Sequence, residues 1–438
     1  VTVGNAQVYP PADTICRTLD LDYIVDLEPG KAYTLYLMVK DSVLGTSTSM
    51  NLRNYLAIPQ AGAVTGIYCL QEKEGRVDID VFGTAFGLVY GTHHTKDYWS
   101  TAHPDRPLAG NARMISYSSA GNWFYVFTDT EGFRCSPSNL IIMDTWEEMF
   151  YDATTYAPEA IMTARYNGYD FLINDGKLHC LNVSKAGNRK FPAPLSGSYQ
   201  VAPYLAYETR TIYSPVAGAI NAYQVVFDKE QNGFRPFFNN ASSLGQFSSS
   251  DPEAAFDVNK MQGELVYYAT VGDGVTMAVM KREDGSYWMD IASFYNVVDN
   301  GKLARNSWSL AGCTDIDKAS CFWAPKAGTV LFYAVGNQLY SFSFSTGQAT
   351  SELVWSGESS DEITCMYSVS PSGWPASGKI LWVAVWDETT QEGRVVEFGF
   401  DHMTGKIAVG ELAWMGISDP GPNTYDGFGK IISMAEKN

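Results

Sequence analysis

Three of the five histidines of this 438-residue chain, His93, His94 and His103, share one polar, aromatic stretch, GTHHTKDYWSTAHPDRP. Imidazoles bind transition metals. Adjacent side chains on extended backbone point to opposite faces, so His93 and His94 are poor joint ligands and no metal site is expected. Asp78 and Asp80 (RVDIDV), and Asp315 and Asp317 (TDIDK), each put two carboxylates on one strand face, a donor type suited to Ca²⁺ or to acid/base work. Without a Gly-bearing calcium loop they read as solvated strand edges. G-x-S-x-G, H-E-x-x-H, G-x-G-x-x-G and G-x-x-x-x-G-K-[ST] are all absent, which removes the usual local geometry of esterases, zinc proteases and nucleotide cradles. Trp386-Asp387 is a lone W-D pair, and Asp284 to Trp288 (DGSYW) reads as a hairpin turn followed by a packed aromatic.

The aromatic residues carry more information. Trp123, Trp382, Trp386 and Trp414 stand at strand positions and read as packing, since large rings dominate core energetics. Trp99 (KDYWST), Trp308 (RNSWSL), Trp323 (CFWAPK) and Trp374 (SGWPAS) stand in polar or Gly/Ser/Pro-rich segments. An apolar ring is costly there unless it meets a partner. A sugar, with an apolar face and a hydroxyl rim, suits such a ring. The expected ligand-binding set is Trp99, His103, Trp308 and Trp374, with no catalytic residue and no cofactor.

The seven cysteines (16, 69, 135, 180, 313, 321, 365) are an odd number with no C-x-x-C spacing, so a Cys-based metal site is not expected. Cys69, Cys180 and Cys365 lie in apolar runs and read as buried thiols. Cys313 and Cys321 flank the loop CTDIDKASC and are the one pair that could bridge.

The elements that must hold these residues are strands. Helical spacing is nearly absent, with a turn or two allowed at Asp144 to Phe150 and at Asp251 to Val258. One phrase recurs: a β-rich run, a Gly turn and a second β-rich run, as in YDFLINDGKLHCLNV, LVYYATVGDGVTMAVMKR, VLFYAVGNQLYSFSFS and ILWVAVWDETTQEGRVVEFGFD. The turn glycines Gly176, Gly218, Gly274, Gly336 and Gly393 follow one another at a mean of about 54 residues, the regime of propeller blades. Residues 58–438 then read as a β-propeller of seven blades. The lone strand KIISMAE is expected to pair with Ile67 to Gln71 and close the ring, which removes two exposed edges. Residues 1–57, with alternating polarity and a turn at Pro29-Gly30, read as part of a small antiparallel sandwich.

Charge narrows the partners. Lys+Arg 30 against Asp+Glu 48 gives a net charge of −18, which opposes polyanionic nucleic acid and anionic lipid. An aromatic share of 14% excludes a disordered chain, and no apolar run is long enough for a spanning helix.

Several phrases carry a resemblance. GKAYTLYLMVKDSVLGTSTS looks like the closing strands of a PKD-like, immunoglobulin-type domain, and GIYCLQEKEGRVDIDVFG looks like the blade that follows it. With RPLAGNARMISYS, NAYQVVFDKEQNGFRPFFN and NQLYSFSFSTGQATSELVW, the chain resembles the PKD-like family of bacterial surface lipoproteins with a C-terminal propeller. The resemblance implies an all-β protein: an incomplete PKD-like sandwich (1–57), then the propeller (58–438). It further implies a cell-surface or periplasmic place, lipid-anchored to the outer membrane, and non-catalytic binding of a glycan or of a protein in an outer-membrane glycan-uptake complex. Membrane contact would come only through an N-terminal lipid tether. Two departures matter, the incomplete PKD-like part and the lack of a lipid-accepting Cys near Val1, and both fit a chain trimmed at its N-terminus. The alternatives are a propeller glycosidase or lyase with channel carboxylates, and a structural scaffold for protein partners.

Overall fold

The computed structural model describes residues 2–3, 6–7, 17, 32–57 and most of 65–437; outside the described residues lie chiefly 85–91, 165–167, 206–210, 214–219, 248–251, 295–302, 370–378 and 408–421. The chain divides into two compact units, Val1–Val64 and Thr65–Asn438, where the sequence places a boundary at 57/58.

In the first unit, the described residues form two two-stranded sheets, β1 (Thr2–Val3) with β2 (Ala6–Gln7), and β3 (Ala32–Lys40) with β4 (Ser47–Ala57). Asp41 Oδ1 accepts the N–H groups of Val43 and Leu44 at 2.8 and 3.0 Å and so shapes the β3–β4 turn. The Pro29-Gly30 turn lies outside the described residues.

The second unit is a β-propeller of antiparallel sheets, as alternating apolar runs and tight Gly or Asn/Asp turns require. Its first sheet runs β5 (Gly66–Lys73), β6 (Arg76–Gly83) and β7 (His93–Thr95), and its second β8 (Ala112–Ser118), β9 (Trp123–Thr128), β10 (Gly132–Cys135) and β11 (Ile142–Thr145). The third is β12 (Pro158–Ala164), β13 (Tyr169–Asn174) and β14 (Lys177–Asn182). A shorter sheet follows, β15 (Thr211–Tyr213), β16 (Ile220–Asp228) and β17 (Gly233–Phe238). Next come β18 (Glu264–Gly272), β19 (Val275–Lys281), β20 (Tyr287–Ser293) and β21 (Ala304–Ser309), then β22 (Cys321–Trp323), β23 (Val330–Val335), β24 (Gln338–Ser343) and β25 (Glu352–Ser356). The last is β26 (Asp361–Val369), β27 (Ile380–Asp387), β28 (Glu392–Gly399) and β29 (Asn423–Phe428).

The final strand, β30 (Lys430–Lys437), joins the first sheet beside β5, with Ile431 opposite Gln71 and Glu436 opposite Ile67. The ring is thus held by a sheet made from both ends of the unit. Six sheets send a strand to one axial cavity: β8, β12, β18, β22, β26 and β30. They are six blades, where the repeat length leads to seven; the short β15–β17 sheet borders residues outside the described set.

Five of the axial strands carry a register shift near their start, at Ala112/Met114, Pro158/Ala160, Leu265/Tyr267, Ile363/Cys365 and Ile431/Ser433. Such bulges bend a strand and raise its twist, which suits strands crowded at an axis. Neighbouring axial strands are linked by single hydrogen bonds. Ile115 N–H donates to Ser433 Oγ at 3.2 Å, Thr163 Oγ1 to the Tyr117 carbonyl at 2.8 Å, and Thr364 Oγ1 to the Ile431 carbonyl at 2.7 Å. Core side chains fill the spaces between blades; one cluster joins Ile67, Cys69 and Phe82 of the first sheet to Trp382, Val395 and Phe428 of the last.

Among the described residues helix is scarce, as expected. The 144–150 segment gives one 3₁₀ turn, Glu147–Met149, and a short α1 (Tyr98–Ala102) forms where a polar loop was expected.

Candidate functional site

The axial cavity has a volume of about 1080 Å³ and is lined by the six axial strands and by Pro203 to Leu205. Its aromatic side is built by consecutive blades. Trp323, at the end of β22, gives its indole N–H to Ser368 Oγ of β26 at 2.5 Å, and its ring lies 5.6 Å from that of Tyr367. Tyr267 of β18 takes the Ala324 N–H on its hydroxyl at 3.0 Å, and burial pushes that phenol well above its ordinary range. Trp323 and Tyr367 are half-buried. The Trp323 indole N–H is used to hold it in place, and both residues line the cavity. Tyr117, Tyr204 and Thr163 line it as well.

Three charged side chains line the cavity among the described residues, Arg113, Glu159 and Glu436. Glu159 Oε2 accepts the Gly176 N–H at 2.7 Å. Cys365 also lines the cavity, and burial pushes its thiol up to about 12. A thiol so raised holds its proton at neutral pH, and the thiolate is the nucleophilic form.

The residues singled out by sequence fall elsewhere. Trp99 is fully buried in α1 rather than exposed on a loop: it packs 5.7 Å from Phe133 and 4.4 Å from His103, and its indole N–H donates to the Arg106 carbonyl at 3.0 Å. A ring covered on both faces has none left for a sugar. His103 is half-buried against it, with Nε2 donating to the Leu140 carbonyl at 2.8 Å. Trp308 stands in the outermost strand β21 opposite Met289, not in a connection, and packs 6.1 Å from Phe344. Trp374 lies outside the described residues. Trp99 and His103 thus meet each other, and neither they nor Trp308 line the axial cavity. Trp323, which the sequence groups with them as a loop residue, lines the cavity. The signal that could have placed it is position: the axial strand of a blade is the segment just upstream of each repeated hairpin, and CFWAPK precedes VLFYAV.

Of the two carboxylate pairs, Asp315 and Asp317 are exposed as expected, though at a 3₁₀ turn rather than on a strand, and the other is corrected. Asp78 and Asp80 are fully buried, not solvated. Asp78 Oδ1 accepts the N–H groups of Trp99 and Ser100 at 3.1 and 3.2 Å, satisfying orphan donors at the start of α1. Asp80 pairs with His94 Nε2 at 2.7 Å and takes the Asp97 N–H at 2.9 Å. His93 donates to the Thr65 carbonyl at 3.0 Å. No cluster of His, Cys, Asp and Glu suited to a metal ion occurs among the described residues. All six described cysteines are free, Cys313 and Cys321 included.

The chain matches no protein-family model and no curated protein. Solved structures are similar in fold. Cobalt-substituted Synechocystis ACO aligns with 94% of this chain and 97% of its own at 9% identity and a TM-score of 0.49. A quinonprotein alcohol dehydrogenase-like protein from Bacteroides thetaiotaomicron aligns with 95% of this chain and 87% of its own at 11% identity and 0.46. The WD40 domain of SCAP from fission yeast aligns over 73% and 72% at 11% identity and 0.38. The class is a β-propeller. At these identities the similarity concerns the fold alone.

Proposed function

We propose that the protein is a non-catalytic binding protein whose propeller takes a glycan into the mouth of its axial cavity. The observation that carries this reading is the cavity of about 1080 Å³ lined by Trp323, whose indole N–H is held by Ser368, and by Tyr367 beside it. That volume is at or slightly above the usual upper range for a small-ligand site. Rings held in place lose little entropy when a flat apolar face docks on them, and the Thr163 and Ser368 hydroxyls, each with one hydrogen bond already made, keep capacity for a sugar's rim. A seventh blade built on β15–β17, an incomplete PKD-like sandwich in residues 1–57, and a lipid-anchored surface or periplasmic place in a glycan-uptake complex belong to the same proposal, through the resemblance.

The test is a glycan array followed by calorimetry on the wild type and Trp323→Ala. Stacking of a ring on an aromatic face is worth on the order of 1 to 3 kcal/mol, by analogy with bases on aromatic side chains, so Trp323→Ala should weaken binding about tenfold. Full affinity in that variant would move the site off the channel, and no binding across the array would end the glycan reading.

A further inference from the structure

We propose that the axial cavity selects cationic amino sugars over neutral sugars and rejects acidic ones; this rests on the glycan reading above. Two carboxylates, Glu159 and Glu436, line the same cavity as Trp323 and Tyr367, against one cation, Arg113. Arg113 already has anionic company at the rim, since its charge helps hold the Asp129 carboxyl below its usual range, after the larger effect of hydrogen bonds from Asn111. The nearby lysines are committed elsewhere. Lys430 pairs with Glu362 at 2.7 Å and lies 3.6 Å from Glu388, and Lys437 Nζ donates to the Pro137 carbonyl at 2.5 Å.

Among the described residues the lining thus carries one more negative than positive charge, within a chain of net charge −18. A cleft of one sign with low-dielectric walls concentrates ligands of the opposite sign. Aromatic faces add to that choice, because the ring quadrupole attracts a cation and repels an anion. An ammonium-bearing sugar meets both terms, and a uronate opposes both.

The experiment measures affinities for three probes of equal length: a glucosamine oligomer, cellohexaose and an oligogalacturonate, at mildly acidic pH so that the amines are charged. The expected order is amino sugar, neutral, uronate, with about tenfold between the first and last at low salt. The gap should shrink severalfold at high salt, as exposed charges are screened. Glu159→Gln and Glu436→Gln should each narrow the gap between the amino sugar and the uronate. Glu436 stands on the closing strand, so the wild-type order and its salt dependence serve if that variant folds poorly. Equal or tighter binding of the uronate overturns the charge selection alone. Failure of all three probes to bind overturns the glycan reading with it.

Discussion

At the seam where the ring closes, Trp382 gives its indole N–H to Glu397 at 2.6 Å, and on the channel wall Trp323 gives its own to Ser368 at 2.5 Å. Both indoles are anchored by one hydrogen bond to the next strand or blade. What differs is the covering of the ring. Trp382 is fully buried, with Phe82 5.0 Å away, whereas Trp323 keeps part of its surface on the cavity. The partner differs as well. Glu397 also accepts the Tyr425 hydroxyl at 3.2 Å and the Thr84 hydroxyl, so the carboxylate ties strands of the first and last sheets together. A satisfied N–H thus says little about role; the face left open decides it.

The largest effect should follow removal of residues 430–438, which uncovers the ladder edge of β5 and leaves the first sheet without its axial strand. The cooperative thermal transition followed by circular dichroism should be lost or shifted strongly down. An unchanged Tm would mean that closure contributes nothing.

A smaller and more selective contrast comes from the two tryptophans. Trp382→Ala should cost about 3 to 5 kcal/mol in urea unfolding, the range for a large buried ring, and Trp99→Ala should fall in the same class. Trp323→Ala should cost well under half of that, since less of its area is withdrawn from water, and its loss should appear in ligand affinity. Equal destabilisation by Trp323→Ala and Trp382→Ala would erase the distinction between seam and wall.

The smallest effect is one of pH. Asp170 accepts Ser118 Oγ and the Tyr125 hydroxyl, each at 2.8 Å, and burial raises its carboxyl to about 6 despite those donors. The folded state then keeps a proton that the unfolded chain has released between pH of about 4 and 6. Stability falls as pH rises through that window, by roughly 2 to 3 kcal/mol at most. Glu397 is raised for the same reason and contributes the same sign. Urea midpoints across that pH range should show a shallower slope for Asp170→Asn than for wild type. Parallel slopes would show that Asp170 ionises freely in the fold.

The parts of this architecture that could be read in advance are those written in apolar residues. YDFLINDGKLHCLNV is the β13–β14 hairpin, ILWVAVWDETTQEGRVVEFGF is β27–β28, and KIISMAE pairs with the segment from Ile67 to Gln71. These are mostly buried strands whose composition is set by packing. The axial strands are mixed in composition, because their edges meet the cavity rather than another strand, and their bulges break the two-residue period. Trp323 stayed hidden because its strand, Cys321–Trp323, is too short to show a period. Asp78 and Asp80 misled in the opposite direction: a spacing of two shows that side chains share a face but not whether another element covers it, and here α1 and His94 do. Trp99 was taken for a loop residue because five residues of helix have too few turns to show a period.

The pairing of Lys437 with Gly66 brings the first and last strands of the propeller unit to neighbouring places in one ladder, about 5 Å apart between opposed Cα atoms. A closed circle of blades has no intrinsic beginning. Where the backbone is interrupted is then a matter of bookkeeping in the gene rather than of mechanics in the fold, and a permuted chain opened at another hairpin turn would inherit the same wheel with its hub intact.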